Sequence, residues 1–410
     1  MGIVHVDNLQ NGMVLGEDAR DITSKLLLSK GQRINTKHIR IFKIWGISEV
    51  TVEGNHGDSE APEPTIDPEL IEEVREKTRV VFSHLDPDHP AIKELFKHAV
   101  LYRARNYTSL SGHKRLKSEN PDPHKPHVIK DVMARIDRSE IRLPEVPSII
   151  FELNEVINAP LVSASDIAAV VRKSPSLASL LLRIVNSAFY GFPSKIDDIS
   201  RAVTLIGTKE ISGLALGIST MAIFRDIPQQ IIDVRTFMRH SLACGILCRI
   251  LAARKNIPQT EQLFVSGLLH DIGRLVVYKY FPAHAKTLLH SAKAQSQPLY
   301  NIEASLLGCR HTDIAQHLFQ RWKLPYSLEN NIFFHHTPSS AQDPDRATIV
   351  HIADLIANAL GLGSSGERFA PGFDEEAWER LDLRPGILKS VIQQAVHQLG
   401  AVENLLVEET

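Results

Sequence analysis

The run LFVSGLLHDIGRLVVYKY, Leu263 to Tyr280, is apolar on nearly every face. Over about five helical turns such a pattern describes a buried helix, which must be wrapped by others. His270 and Asp271 stand side by side in the middle of it. An ionised carboxylate is tolerated in such surroundings when it is paired or ligates a metal, so Asp271 demands partners from elsewhere in the chain.

The wrapping is available. From residue 128 onward, segments such as PSIIFELNEVINA, SASDIAAVVRKS, SLASLLLRIVNSAF and ISRAVTLIGTKEISGLALGIST follow one another at 3.6-residue spacing. Strand patterning is absent from 128 to 410, so this part is expected to be all-α. The first 53 residues differ: GIVHV, MVLGEDA, KLLLSKGQRI and ISEVTVE have the character of short strands, with one helix near TKHIRIFKIWG. The expected fold class is therefore mainly α, an all-α helical domain behind a small β-rich N-terminal module.

Between the two, residues 53–89 carry 11 acidic and 3 basic side chains, and helices are expected at about 68–84 and 90–105. Residues 101–135 reverse the balance, with 8 basic against 3 acidic side chains and a turn-rich composition that leaves little to bury. A solvated connector fits better than a nucleic-acid surface, because only Tyr102 and Tyr107 interleave the charges. The overall net charge of -2 gives no global attraction to nucleic acid or anionic membrane. With no apolar run of about 18 residues and no N-terminal leader, a cytoplasmic protein is expected. Three cysteines, Cys244, Cys248 and Cys309, give no disulfide framework. The expected organisation is an N-terminal module (1–53), an acidic linker with helices and a basic connector (54–138), a main helical domain (139–345, with a distinct second half from about 230), and a C-terminal helical extension (346–410).

Partners for Asp271 emerge from the same periodicity. His240 shares a helix face with Phe237, Ala243, Cys244 and Leu247, and His311 is in line with Ile314, Ala315, Leu318 and Trp322, whereas His317 falls off that face. NNIFFHHTPSS closes a helix with His335 and His336 ahead of Pro338, and IVHIADLIANAL places Asp354, with His351 one turn earlier, in another apolar helix. His240, His270, Asp271, His311, His335, His336 and Asp354 thus form a set of imidazole and carboxylate donors without thiolate. Such a set suits one or two divalent ions (Fe, Mn, Zn or Mg) better than a structural Cys-rich zinc site, with Asp271 as a bridge. Each histidine taken singly has a plainer explanation as a hydrogen-bonded core residue, and Cys244 and Cys248 as packing.

The blocks RLPEVPSIIFELNEVIN, SPSLASLLLRIVNSAFYG, IDDISRAVTLIG, GLLHDIGRL, HLFQRWKLP and FFHHTP, from about Ile141 to Pro338, resemble successive signatures of the HDOD domain, the HD-related output domain of bacterial signalling proteins. The N-terminal module is similar to small β modules that precede HD-GYP and HDOD domains. HDOD domains in turn resemble the HD metal-dependent phosphohydrolases, whose ligands run His, His-Asp, His, His-His, Asp. That order matches His240, His270, Asp271, His311, His335, His336 and Asp354 here. Many HDOD domains have lost this set, so its retention is informative.

Departures from the enzymes are equally specific. Thr236 stands where an HD-GYP enzyme can carry a metal-binding glutamate, Arg274 replaces a lysine, and HHTPSSAQD replaces the run containing Gly-Tyr-Pro. The resemblance therefore implies a bacterial signal-transduction protein whose HDOD domain is a regulatory output module, acting through other signalling proteins or a small nucleotide ligand. Its alternative implication is a binuclear metal-dependent phosphohydrolase, with Asp271 and Arg274 as the catalytic pair and Arg274 helping to hold the phosphate.

Overall fold

The structure, a computed structural model, describes residues 1–20, 26–47, 49–54, 66–107, 132–141, 143–145, 147–157, 162–187, 190, 192, 194–224 and 226–407. Most of the acidic stretch 55–65 and of the basic connector, residues 108–131, lies outside the described residues.

The N-terminal module is poorer in strand than its alternation suggests. Gly2–His5 pairs antiparallel with Glu49–Val52, in the register Gly2 to Val52 and His5 to Glu49, and Ala19–Arg20 pairs with Leu26–Leu28. Of MVLGEDA only Ala19 enters a ladder, while Val14 and Leu15 make isolated bridges to Arg33 and Val52. The helix Thr36–Ile44, capped by the Asn35 side chain, packs over these ladders. Leu15, Ile34, Phe42 and Val52 form their buried centre.

Among the described residues after 66, every regular element is a helix. Pro68–Val81 and Pro90–Arg105 each begin with proline at the first helical position, where its missing N–H costs nothing. The second of these is no loose linker, since Ile92, Leu95 and Ala99 enter the main core. Arg103 donates from Nε to the Ala359 carbonyl at 2.7 Å and from Nη2 to that of Asn358 at 3.0 Å, capping another helix 255 residues away.

In the domain proper, Ser163 and Asp166 form a capping box for Ala164–Arg172. Two long apolar patterns are interrupted. ISRAVTLIGTKEISGLALGIST divides into Ile199–Ile206 and Thr208–Ala222 because Gly207 adopts a φ of +119°. The expected continuous helix through Leu263–Tyr280 divides into Thr260–Leu269 and Ile272–Tyr280, and His270 and Asp271 occupy the joint.

The central column is Val234–Arg254, fully buried along most of its length. It packs against Thr260–Leu269, Pro344–Leu360 and the C-terminal Ile387–Val407. Two glycines permit the tight crossings: a Cβ at Gly267 would lie 2.7 Å from the Cys244 backbone and Cys248 Sγ, and one at Gly245 would lie 2.8 Å from the Phe264 carbonyl. A buried ion pair braces the same region, with Arg249 donating to Glu261 at 3.2 Å and the Tyr190 hydroxyl donating to the other Glu261 oxygen at 3.2 Å.

Candidate metal centre

Breaking the apolar run at residue 270 turns two consecutive side chains into the same interior space. His270 and Asp271 there meet His240 from the central helix, Asp354 from Pro344–Leu360, His311 from the first turn of His311–Arg321, and His335 and His336 from the turn after Tyr326–Phe333. The pair does not close a helix as the sequence suggests; that helix ends at Phe333, which frees both rings to point inward.

Asp271 lies between two groups of imidazoles. Its Oδ2 is 3.3 Å from His270 Nε2 and its Oδ1 is 3.2 Å from His311 Nε2. On one side, Asp354 Oδ1 is 3.2 Å from His240 Nε2 and 3.4 Å from His270 Nε2. On the other, the His311 and His335 ring centres are 5.3 Å apart, and those of His335 and His336 are 4.0 Å apart. The donor atoms of His240, Cys244, His270 and Asp354, of His270, Asp271 and His335, and of His311, His335 and His336 each lie within 4.8 Å of one another. Cys244 Sγ is 3.6 Å from His240 Nε2, but burial pushes its thiol well above the ordinary range.

The hydrogen bonds determine which nitrogen faces inward. His270 Nδ1 donates to the Gly267 carbonyl at 2.8 Å, His335 Nδ1 to that of Ile332 at 2.7 Å, and His311 Nδ1 to Glu303 at 2.6 Å. Their Nε2 atoms, and that of His336, have no hydrogen-bond partner although all are buried. A buried, unsatisfied nitrogen carries a desolvation cost, and a cation shared by several of them removes it. The donor set therefore fits one or two divalent ions of the Fe, Mn, Zn or Mg kind, held by nitrogen and oxygen.

Electrostatics point the same way. Burial works against ionising Asp271, but Arg274 and His270 outweigh it and hold the carboxyl well below its usual range. Asp354 is also held well below that range, by His270 and His240 against burial. The two carboxylates in turn overcome the burial of His270 and raise it to about 10. His335, buried and facing His270 and His311, is pushed down to about 3.

Arg274 is buried at 2% exposure and hydrogen-bonds internal partners. Nη1 donates to Asp271 at 3.0 Å and to Ser365 Oγ at 2.9 Å, and Nε donates to Glu303 at 3.2 Å. It thus positions Asp271. Thr236 sits beneath a covering loop, since Ser364 N donates to its carbonyl at 3.1 Å and a Cβ at Gly363 would lie 2.4 Å from both that carbonyl and His240 N.

His351 is buried but offers no lone pair, because Nδ1 donates to the His335 carbonyl at 2.8 Å and Nε2 accepts from Asp374 N at 3.2 Å. His317 is half-buried, 3.8 Å from Asp137. Sequence reasoning missed Glu303, Ser365 and Asn358, which donates to Asp354 Oδ1 at 2.7 Å. It also missed Tyr300, whose ring centre is 4.0 Å from that of His336, the one half-buried member of the set.

The HDOD domain model matches residues 143–338. An uncharacterized protein of Treponema pallidum (strain Nichols) is 26% identical over 212 residues, which are 52% of this chain and 41% of that protein. The match thus spans less than half the length of this curated relative. An HDOD domain protein of unknown function from Geobacter sulfurreducens superposes with a TM-score of 0.57 at 20% identity, over 67% of this chain and 97% of that one. A protein from Marinobacter aquaeolei VT8, provisionally assigned to signal transduction, gives 0.53 at 19% identity, over 76% of this chain and 66% of that one. Both are likenesses of fold. No helix among the described residues is long and apolar enough to cross a membrane. The chain thus carries an HDOD domain at residues 143–338.

Proposed function

We propose that the protein is a bacterial signal-transduction component, working in the cytoplasm, whose HDOD domain is a regulatory output module built around a divalent metal centre. It acts by binding signalling proteins or a small nucleotide rather than by turning over a substrate. The ligands proposed are His240, His270, Asp271, His311, His335, His336 and Asp354. The observation that supports the reading is enclosure: six of the seven are buried, the Tyr300 ring centre lies 4.0 Å from that of the seventh, and Arg274 hydrogen-bonds Asp271, Glu303 and Ser365. Closed coordination suits a structural or regulatory ion, whereas catalysis requires an open position.

A second reading, a binuclear phosphohydrolase, is favoured by the place of Asp271 between two groups of imidazoles. Two divalent ions would supply charge against a developing phosphoryl anion and a water of lowered pKa. Asp271 would hold the pair together, and Glu303 and Arg274 would orient His311 and Asp271.

Metal analysis of protein purified without chelator, paired with hydrolysis assays on cyclic di-GMP and bis-p-nitrophenyl phosphate in Mn or Fe(II), separates the two. We expect bound metal without substantial turnover. Robust metal-dependent hydrolysis that disappears in Asp271→Ala would establish the enzyme reading instead.

A further inference from the structure

Beside the metal centre, and separate from its donors, a cleft of about 760 Å³ opens between the start of the central helix, the end of Pro282–Gln295 and the loop 364–368. Its volume lies in the range of small-molecule sites, roughly 300 to 1,000 Å³. One wall is apolar, built by Ile231, Ile232 and Leu289.

The rim carries three exposed cations, Arg235, Lys293 and Arg368, each from a different element. Among the described residues, none of the three is in an ion pair, although this chain pairs many of its surface charges. Cations that line one cleft repel one another, and an anion bound between them relieves that repulsion.

Two carboxylates also face the cleft, and both are engaged. Asp233 caps the central helix by accepting from Arg235 N at 2.9 Å. Glu367 accepts from Leu299 N at 2.8 Å and from Arg368 N at 2.8 Å, with Arg274 Nη2 3.8 Å away. The helix end is thus already satisfied, which leaves the three side chains to receive an anion.

We infer that this cleft binds a small organic phosphate, its phosphates held by Arg235, Lys293 and Arg368 and its less polar part laid against Ile231, Ile232 and Leu289. A nucleoside diphosphate has this division into charged and flat apolar halves. Planar guanidinium groups suit phosphate oxygens, which explains two arginines among three cations. The site needs no metal, so it stands whether or not the neighbouring donors hold ions.

Calorimetric titration of the full chain with ADP in EDTA tests the assignment, with pyrophosphate as the probe lacking an apolar part. ADP should bind saturably and pyrophosphate at least about fivefold more weakly. Arg235→Glu, Lys293→Glu and Arg368→Glu should each weaken ADP by about tenfold, and the triple variant should abolish binding at an unchanged melting temperature. Lys286→Glu, at an exposed cation of the same helix outside the cleft lining, should bind ADP like the parent. Absence of saturable binding at millimolar ADP, or equal binding by the triple variant, overturns the inference. So does charge-dependent sedimentation with phosphatidylglycerol vesicles in place of ADP binding, which would make the patch a membrane-facing surface.

Discussion

Glu303 holds His311 from two directions, accepting from its ring Nδ1 at 2.6 Å and from its backbone N–H at 3.0 Å. The same carboxylate accepts Arg274 Nε at 3.2 Å, and Arg274 holds Asp271. One buried acid therefore orients donors on both sides of the proposed bridge. Partners of this kind affect metal affinity by about 10- to 100-fold when removed. Glu303→Gln keeps the shape and part of the hydrogen bonding but loses the charge, so we expect metal affinity to fall within that range while the fold persists. Competition with a chromophoric chelator measures it, and an unchanged affinity would deny Glu303 this role.

Gly273 lies where Ile272–Tyr280 crosses the start of the His311 helix, and a Cβ there would sit 1.9 Å from the His311 carbonyl oxygen. That oxygen is backbone and cannot swing aside. Overpacking of this kind costs about 1–3 kcal/mol or more. Gly273→Ala should lower the melting temperature and the metal content together, since the displaced segment carries His311. Gly372, where an added Cβ meets nothing within 4 Å, supplies the control. Gly372→Ala should stay within about 0.5 kcal/mol of the parent.

A turn motif tests stability separately from metal. Asn186 Nδ2 donates to the Leu182 carbonyl at 2.7 Å and to that of Ile196 at 2.6 Å, while its Oδ1 accepts from Ile196 N at 2.7 Å. The amide thereby fastens the end of Pro175–Asn186 to the chain that returns ten residues later. Asn186→Leu strips partners from Ile196 at about 1–3 kcal/mol per buried group left unsatisfied. Thermal denaturation should register the loss and metal content should not. Loss of metal at unaltered stability would assign Asn186 to the site instead.

The proposed ligands were legible because a polar residue at an apolar helical position is anomalous. His240, His270, Asp271, His311 and Asp354 each break a periodic pattern, and the structure collects them. Glu303 was not legible. In NIEASLL it looks like an ordinary solvated acid, and only tertiary packing brings Arg274 and His311 onto it. The fate of Arg274 was hidden for the same reason, because its partners Glu303 and Ser365 are 29 and 91 residues distant. Helix breaks were half legible: Gly207 carries a local signal, whereas nothing around His270 distinguishes a joint from a continuous turn. In the N-terminal module, alternation announced strands, but of MVLGEDA only Ala19 enters a ladder and Val14 and Leu15 make isolated bridges.

Opposed pKa shifts at the centre predict a stability maximum near neutrality in chelator-treated protein. His335 is held down at about 3 by burial and by His270 and His311, against an ordinary 6.5. A depressed group stabilises above its unfolded pKa, so this contribution is full above pH 6.5 and is lost as pH falls from there toward 3. Burial pushes the Glu303 carboxyl up, but His311 and Arg274 outweigh it and bring it to about 2 from 4.5, which adds a loss as pH falls below 4.5. His270 moves the other way, raised to about 10 by Asp271 and Asp354 against its burial. Its contribution is full below pH 6.5 and is lost as pH rises toward 10. Urea midpoints from pH 4 to 9 should therefore peak near 6.5, and His335→Gln should flatten the acid limb. Metal binding requires neutral imidazoles and competes with the proton on His270, so Mn should raise the midpoint more at pH 8 than at pH 6. Equal shifts at both values would mean that the ion binds without displacing that proton, and would remove His270 from the ligand set.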